Sequence, residues 1–150
     1  MSESDDLSDH NLGVLISVLN RVVDDAVMAA LAADHGEVRR AHGTVFEMLD
    51  PGGSRVADLA RGARMSKQAM GELVDDLERL GYVERRADPR DGRAKLVVLT
   101  GKGEQAAAAG IAAVFDLEAR WAACLGEGQA RVFREALVTL SLAFGREHIR

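Results

Sequence analysis

The stretch RMSKQAMGELVDDLERLGYVERRADPRDGRAKLVVLTGKG, from Arg64 to Gly103, changes its repeat from helix to hairpin and back to helix. Ser66 is a good helix N-cap, because its hydroxyl can accept from an orphan amide of the first turn. Met65 and Met70 flank that cap at the spacing of a hydrophobic staple. Met70, Leu73, Val74, Leu77 and Leu80 then recur at helical spacing and make one apolar stripe. Gly81 supplies the left-handed residue that ends a helix, with Tyr82 placed to fold back onto Leu77. Beyond it the period shortens. Tyr82–Arg86 and Lys95–Leu99 carry β-branched or aromatic residues, and Ala87–Ala94 between them is rich in turn formers. The pattern predicts a β-hairpin with Arg90 and Arg93 at or near its tip.

Upstream, Val56–Arg61 predicts a short helix joined to the capped one by Gly62-Ala63-Arg64-Met65, so the pair forms a helix-turn-helix. Ser54–Val56 is expected to add a short third strand against the hairpin. Helix-turn-helix plus hairpin is a winged helix. Its physical logic is insertion of the second helix into a major groove, with a basic wing beside it.

Asp88-Pro89-Arg90-Asp91-Gly92-Arg93, followed by Leu99-Thr100-Gly101-Lys102-Gly103, resembles the wing signature of the MarR family of bacterial transcription regulators. That signature is D-x-R-D-x-R, with a hydrophobic strand leading into L-T-x-x-G. Its place after a capped helix ending in Leu-Gly-Tyr-Val, and before a new helix start, makes the match specific. Outside this core the resemblance rests on helix order and length. It implies a homodimer with interlocked terminal helices and two winged helices on one side. Such a dimer suits a pseudo-palindromic operator in double-stranded DNA. It further implies a ligand-responsive repressor rather than an enzyme, with a small, often aromatic or phenolic, effector in a crevice between the dimer helices and the winged helix. The competing class is a winged-helix interaction module that docks protein instead of DNA.

The rest of the chain fits this frame. Hydrophobic residues make up 47% of the 150 residues and aromatics only 4%, which suits helices more than sheet in one domain of ordinary size. The net charge of -5 argues against a simple basic-tail mode of nucleic-acid binding, but the distribution is uneven. Residues 1–60 carry a net -7, residues 61–102 a net +3 and residues 103–150 a net -1. The single net-positive segment is the winged helix, the expected local footprint. A lone cysteine, Cys124, permits no internal disulfide, and a reducing cytoplasm is the natural compartment. The acidic start MSESDDLSDH has no signal-peptide pattern, and no apolar run is long enough to span a bilayer.

Residues 8–33 predict a long helix with a broad apolar face that includes Leu12, Ile16, Leu19, Val23 and Val27. Glu37–Leu49 predicts a second helix, with Val38, Ala41, Val45, Phe46 and Leu49 inward, broken by Asp50-Pro51-Gly52-Gly53. Residues 101–148 predict two further helices, interrupted at Gly126-Glu127-Gly128 and ending near Arg146. The expected class is mainly α: a winged helix-turn-helix core with three short strands over residues 34–100, and dimerisation helices over 8–33 and 101–148.

In a capped recognition helix the first turns face the groove, so Ser66, Lys67, Gln68 and Gly71 are the expected DNA contacts. Gln68 can pair bidentately with adenine, and Lys67 can reach guanine or a phosphate. Glu72, Asp75 and Asp76 make the middle of that helix acidic, so base reading is expected from the first turn. Ser54, Arg55 and Arg64 are expected phosphate contacts, which fix register without reading sequence. Arg90 is the expected minor-groove arginine. Asp88 is expected to brace the loop by pairing with Arg93 or Arg90, and Arg86 and Lys95 to add phosphate contacts. His42, Phe46 and Trp121 are candidates for the effector pocket. His10, His35, His42 and His148 form no metal-ligand motif, and no nucleophile–base pair or phosphate-binding loop is present, so no metal or cofactor is expected. Cys124 reads as a small hydrophobe within a helix.

Overall fold

Asn11 opens the first helix by accepting from the Val14 amide at 3.2 Å, and α1 runs Leu12–Leu31. The structure, a computed structural model, describes residues 10–144. Ser8 and Asp9, expected in α1, and Gly145 and Arg146, expected in the last helix, lie outside the described residues. After α1 the chain turns through amide bonds from His35 to Leu31 and from Val38 to His35. The second helix is shorter than its sequence suggests. The Arg39 amide donates to His42 Nδ1 at 3.0 Å, and the chain takes a 3₁₀ turn over Arg40–His42 before α2, Gly43–Met48. Val38 and Val45 are buried, whereas Ala41, expected inward, is exposed, because the tighter turn rotates it outward.

The helix-turn-helix follows as α3, Val56–Gly62, and α4, Lys67–Arg79. Ser66 Oγ accepts from the Ala69 amide at 3.1 Å, and Met70 is fully buried behind it. Helix α4 ends in a complete Schellman stop. Gly81 takes φ 81°, its amide donates to Glu78 O, and the Tyr82 amide donates to Leu77 O at 2.9 Å. The wing is β1, Val83–Asp88, antiparallel to β2, Asp91–Leu99, with Val83 opposite Leu99 and Ala87 opposite Lys95. The loop is tighter than the expected eight-residue turn. The strands run to Asp88 and Asp91, and the register slips by a bulge beside Ala87. The expected third strand is reduced to a single bridge. Ser54 exchanges both backbone hydrogen bonds with Val97, and Arg55 then already serves as the N-cap position of α3.

Thr100 joins the wing to α5, Gly101–Leu125. Its hydroxyl accepts from the Gly103 amide and donates to Gly81 O at 2.6 Å. A Cβ on Gly103 would lie 2.0 Å from Tyr82 O, so the glycine of the L-T-x-x-G run permits α5 to start against the stop of α4. Gly126, with φ 78°, breaks the helix, and α6 runs Glu127–Phe144. One core holds the winged part, with Leu59, Met70, Val74, Leu77, Tyr82, Val83 and Val97 at its centre. Helix α5 packs along α1, and none of the residues of α6 is buried. Among the described residues, no helix is long and apolar enough to cross a membrane.

Candidate nucleic-acid interface

The first turn of α4 leaves Ser66, Lys67 and Gln68 exposed, ahead of the buried stripe Met70, Val74 and Leu77. Gln68 Nε2 donates to Glu72 Oε1 at 3.2 Å, so this amide is held along the helix axis. Gly71 has open space where a side chain would stand. The turn before α4 is unusual. Arg64 takes φ 53°, the left-handed conformation that glycine prefers, while the Met65 amide closes onto Ala60 O. A non-glycine residue held there stores strain of about 1 kcal/mol.

Three arginines, Arg55, Arg85 and Arg86, form the ion pairs of the wing. Asp88 is buried at the loop and holds its shape: Oδ1 accepts the Arg90 amide at 2.9 Å, and Oδ2 accepts Arg55 Nε and Nη2 at 3.0 and 2.6 Å. These bonds keep the Asp88 carboxyl below its ordinary range, the Arg90 amide first and Arg55 next. The bracing partner is therefore Arg55 at the start of α3, not the side chain of Arg93 or Arg90. Arg55 also reaches Asp91 at 3.4 Å. At the base of the wing, Arg85 pairs with Asp75 at 2.6 Å and with Glu78, both on α4. The acidic face of α4 is thus partly spent on holding β1. A third pair lies along the strand, Arg86 with Glu84.

This separates the expected contacts into two groups. Ser54 is buried and its hydroxyl is engaged with Asp50, so it leaves the candidate surface. Arg55 and Arg86 are committed to carboxylates. Arg64, Lys67, Arg90, Arg93 and Lys95 are exposed and, among the described residues, form no ion pair.

The other face of α4 carries a junction that sequence reasoning missed. Asp76 accepts from Arg39, from Arg79 and from His42 Nε2 at 2.9 Å. Because His42 Nδ1 accepts the Arg39 amide, the ring proton sits on Nε2. Burial lowers the His42 pKa, with the nearby Arg39 charge adding to it, and the neutral ring suits this role. Arg79 and then Arg39 and His42 lower the Asp76 pKa. A second junction gathers around Tyr82, whose hydroxyl donates to Glu37 at 2.8 Å and whose pKa is pushed up to about 12, mainly by burial. Lys102 lies 4.2 Å from that ring's centre.

Of the three pocket candidates, only Phe46 lines the crevice of about 350 Å³ between α1, α2 and α5. His42 is turned into the core toward Asp76. Trp121 lies about two helical turns beyond the crevice along α5. It stands edge-on to Phe133 of α6 at 6.5 Å. Cys124 is in α5 as expected but is exposed.

Known proteins match this arrangement. The sequence pattern of the MarR family matches residues 38–94. A MarR family protein of Mycobacterium tuberculosis, Rv2887, solved in complex with salicylic acid, is 32% identical over 89% of this chain and 98% of its own, with a TM-score of 0.65. The chain belongs to the MarR family of transcription regulators. A second MarR-like structure, CouR from Rhodococcus jostii RHA1 bound to p-coumaroyl-CoA, is 28% identical over 95% of this chain and 96% of its own, at a TM-score of 0.68. Apo MarR from E. coli, at 23% identity over 87% of this chain and 96% of its own and a TM-score of 0.69, shares the MarR fold. No curated protein sequence matches the chain.

Proposed function

We propose that this MarR protein binds an inverted-repeat site in double-stranded DNA as a homodimer, as a ligand-responsive repressor in the cytoplasm. The observation that carries the reading is the distribution of uncommitted cations. Elsewhere arginines are largely held by carboxylates, yet Arg64, Lys67, Arg90, Arg93 and Lys95 stay exposed and unpaired among the described residues. Uncommitted cations are what the neutralisation of phosphates requires. In this reading Lys67 and Gln68 face base edges, with Ser66 and Gly71 beside them. Arg64 meets phosphate at the helix turn. Arg90 enters the minor groove, with Arg93 and Lys95 along the flanking backbone. Arg55, Arg86 and Asp88 act through the shape of the wing.

The dimer is supported by the apolar faces of α1, α5 and α6, and the ligand response by relatives crystallised with salicylic acid and p-coumaroyl-CoA. The test is selection of bound sequences from a random DNA pool, followed by titration of the winning site across salt. An inverted repeat is expected, with affinity that falls steeply as salt rises. Gln68→Ala is expected to cost about 1–3 kcal/mol on that site and to relax one base position per half-site. Failure to enrich any sequence, with no salt-dependent binding, would leave a protein-docking winged helix as the better reading.

A further inference from the structure

The crevice between α1, α2 and α5 carries four charged side chains, Asp24, Arg39, Arg40 and Glu47, in an otherwise apolar lining that includes Phe46. Both guanidiniums are engaged. Arg40 lies between Asp24 at 3.0 Å and Asp25 at 2.6 Å. Arg39 reaches to Asp76 on α4, a carboxylate it shares with Arg79. Glu47 has no cationic partner among the described residues. Glu47 is exposed at the open side of the crevice, where partial desolvation raises the pKa of its carboxyl and the Asp24 charge adds in the same direction. The unmet charge in the crevice is therefore negative.

We infer that the crevice takes an amphipathic cation, with an apolar body against Phe46 and an ammonium or amidinium group at Glu47. A ligand carboxylate would instead face Glu47 and Asp24, and would have to draw Arg39 away from Asp76. A crevice of about 350 Å³ has room for a phenylalkyl amine. The inference rests on the crevice being the effector site, and it sets the charge of that effector opposite to the acid bound in the 32%-identical relative.

Three probes of matched shape separate the charges: 4-phenylbutylamine, 4-phenylbutanol and 4-phenylbutyrate, titrated calorimetrically into the wild-type dimer at neutral pH. The amine is expected to bind about three- to tenfold tighter than the alcohol, with the butyrate weakest, the range for a partly screened pair. Glu47→Gln is expected to bring the amine to the level of the alcohol, and Glu47→Asp to restore part of the difference. Tightest binding by the butyrate, weakened by Arg39→Gln, would overturn the inference. So would an amine preference unchanged in Glu47→Gln, or no binding by any of the three. The same ligands added to a DNA titration test the separate reading of a ligand response. Glu47-dependent amine binding without altered DNA affinity upholds the cation site and removes the response.

Discussion

Between Val38 and Val97 no large hydrophobic side chain is exposed, and Met70, Val74, Leu77 and Tyr82 are completely buried. Along α1, α5 and α6 many are exposed. All fourteen exposed large hydrophobics among the described residues lie on these three helices, from Leu12 through Ile111 and Phe115 to Phe144. The three long helices are the richer in apolar residues, but composition alone does not decide which of those residues are covered. What differs is how soon the chain returns. In the winged part, short elements fold back within a few residues, and each apolar stripe meets another. The long helices present apolar surface on more than one side, and α1 against α5 covers only part of it. An exposed apolar area of this kind marks an interface. The winged part has a finished core, whereas the helical part leaves apolar surface that the proposed second copy would cover.

The largest effect tests that contrast. Leu77→Ala removes a fully buried side chain from the finished core and is expected to cost about 2–5 kcal/mol in urea unfolding, whatever the protein concentration. Leu142→Ala, on exposed α6, is expected to cost little where the chain is monomeric and to act mainly on association, so its effect on unfolding grows to a limit as concentration rises. Equal, concentration-independent losses in both would erase the distinction. Next in size, Gly103→Ala forces a methyl group into the carbonyl of Tyr82 and is expected to cost about 1–3 kcal/mol. Because that contact ties α5 to the stop of α4, the change is also expected to weaken the proposed DNA binding.

Asp88→Ala sharpens the picture of the wing. Removing a negative charge near DNA should tighten binding by electrostatics alone. Loss of the bonds to Arg55 and to the Arg90 amide is expected to outweigh this and weaken binding several-fold, with a flatter preference for A·T-rich flanks. Since the carboxyl's pKa is lowered in the fold, its contribution to stability is present above the ordinary carboxylate range and is lost as pH falls through the lowered value. Loop order, followed by amide exchange, should therefore hold at pH 5 and fail only in stronger acid. Tighter binding by the variant, with flank preference intact, would end the bracing role.

The smallest effects come from two positions where residue and conformation disagree. Arg64 occupies a glycine's conformation, and Gly71 occupies a helix position with room for a side chain. Arg64→Gly and Gly71→Ala are each expected to add about 0.5–1 kcal/mol of stability in urea unfolding. Each should also weaken DNA binding, the first by loss of a phosphate cation and the second by crowding the approach to the groove. A stabilised variant with undiminished DNA affinity would show that the position serves no contact.

What was legible in the sequence was local. The Ser66 cap, the Gly81 stop and the hairpin each depend on groups within a few residues, so pattern and turn chemistry reached them. The bonds that position the wing join residues far apart in the chain. Arg55 and Asp88 are 33 residues apart, and His42 and Asp76 are 34 apart. Nearby arginines offered themselves as partners for Asp88, and nothing in spacing favoured the distant one. Likewise, no glycine advertised the left-handed turn at Arg64. The second helix was misjudged because a histidine ring captures the Arg39 amide, a side-chain competitor to the helical pattern. Phe46 and Trp121 were both pocket candidates, but the sequence could not say that only Phe46 lines the crevice while Trp121 stands edge-on to Phe133 of α6.

Sedimentation equilibrium of the full chain, from nanomolar to tens of micromolar, tests most directly the claim that the helical region is completed by a second copy. A species with the mass of two chains at micromolar concentration is expected. It should dissociate in a variant carrying Phe115→Asp on the exposed face of α5, while the winged part keeps its near-ultraviolet Tyr82 signal. A stable, fully folded monomer across that range would contradict the account.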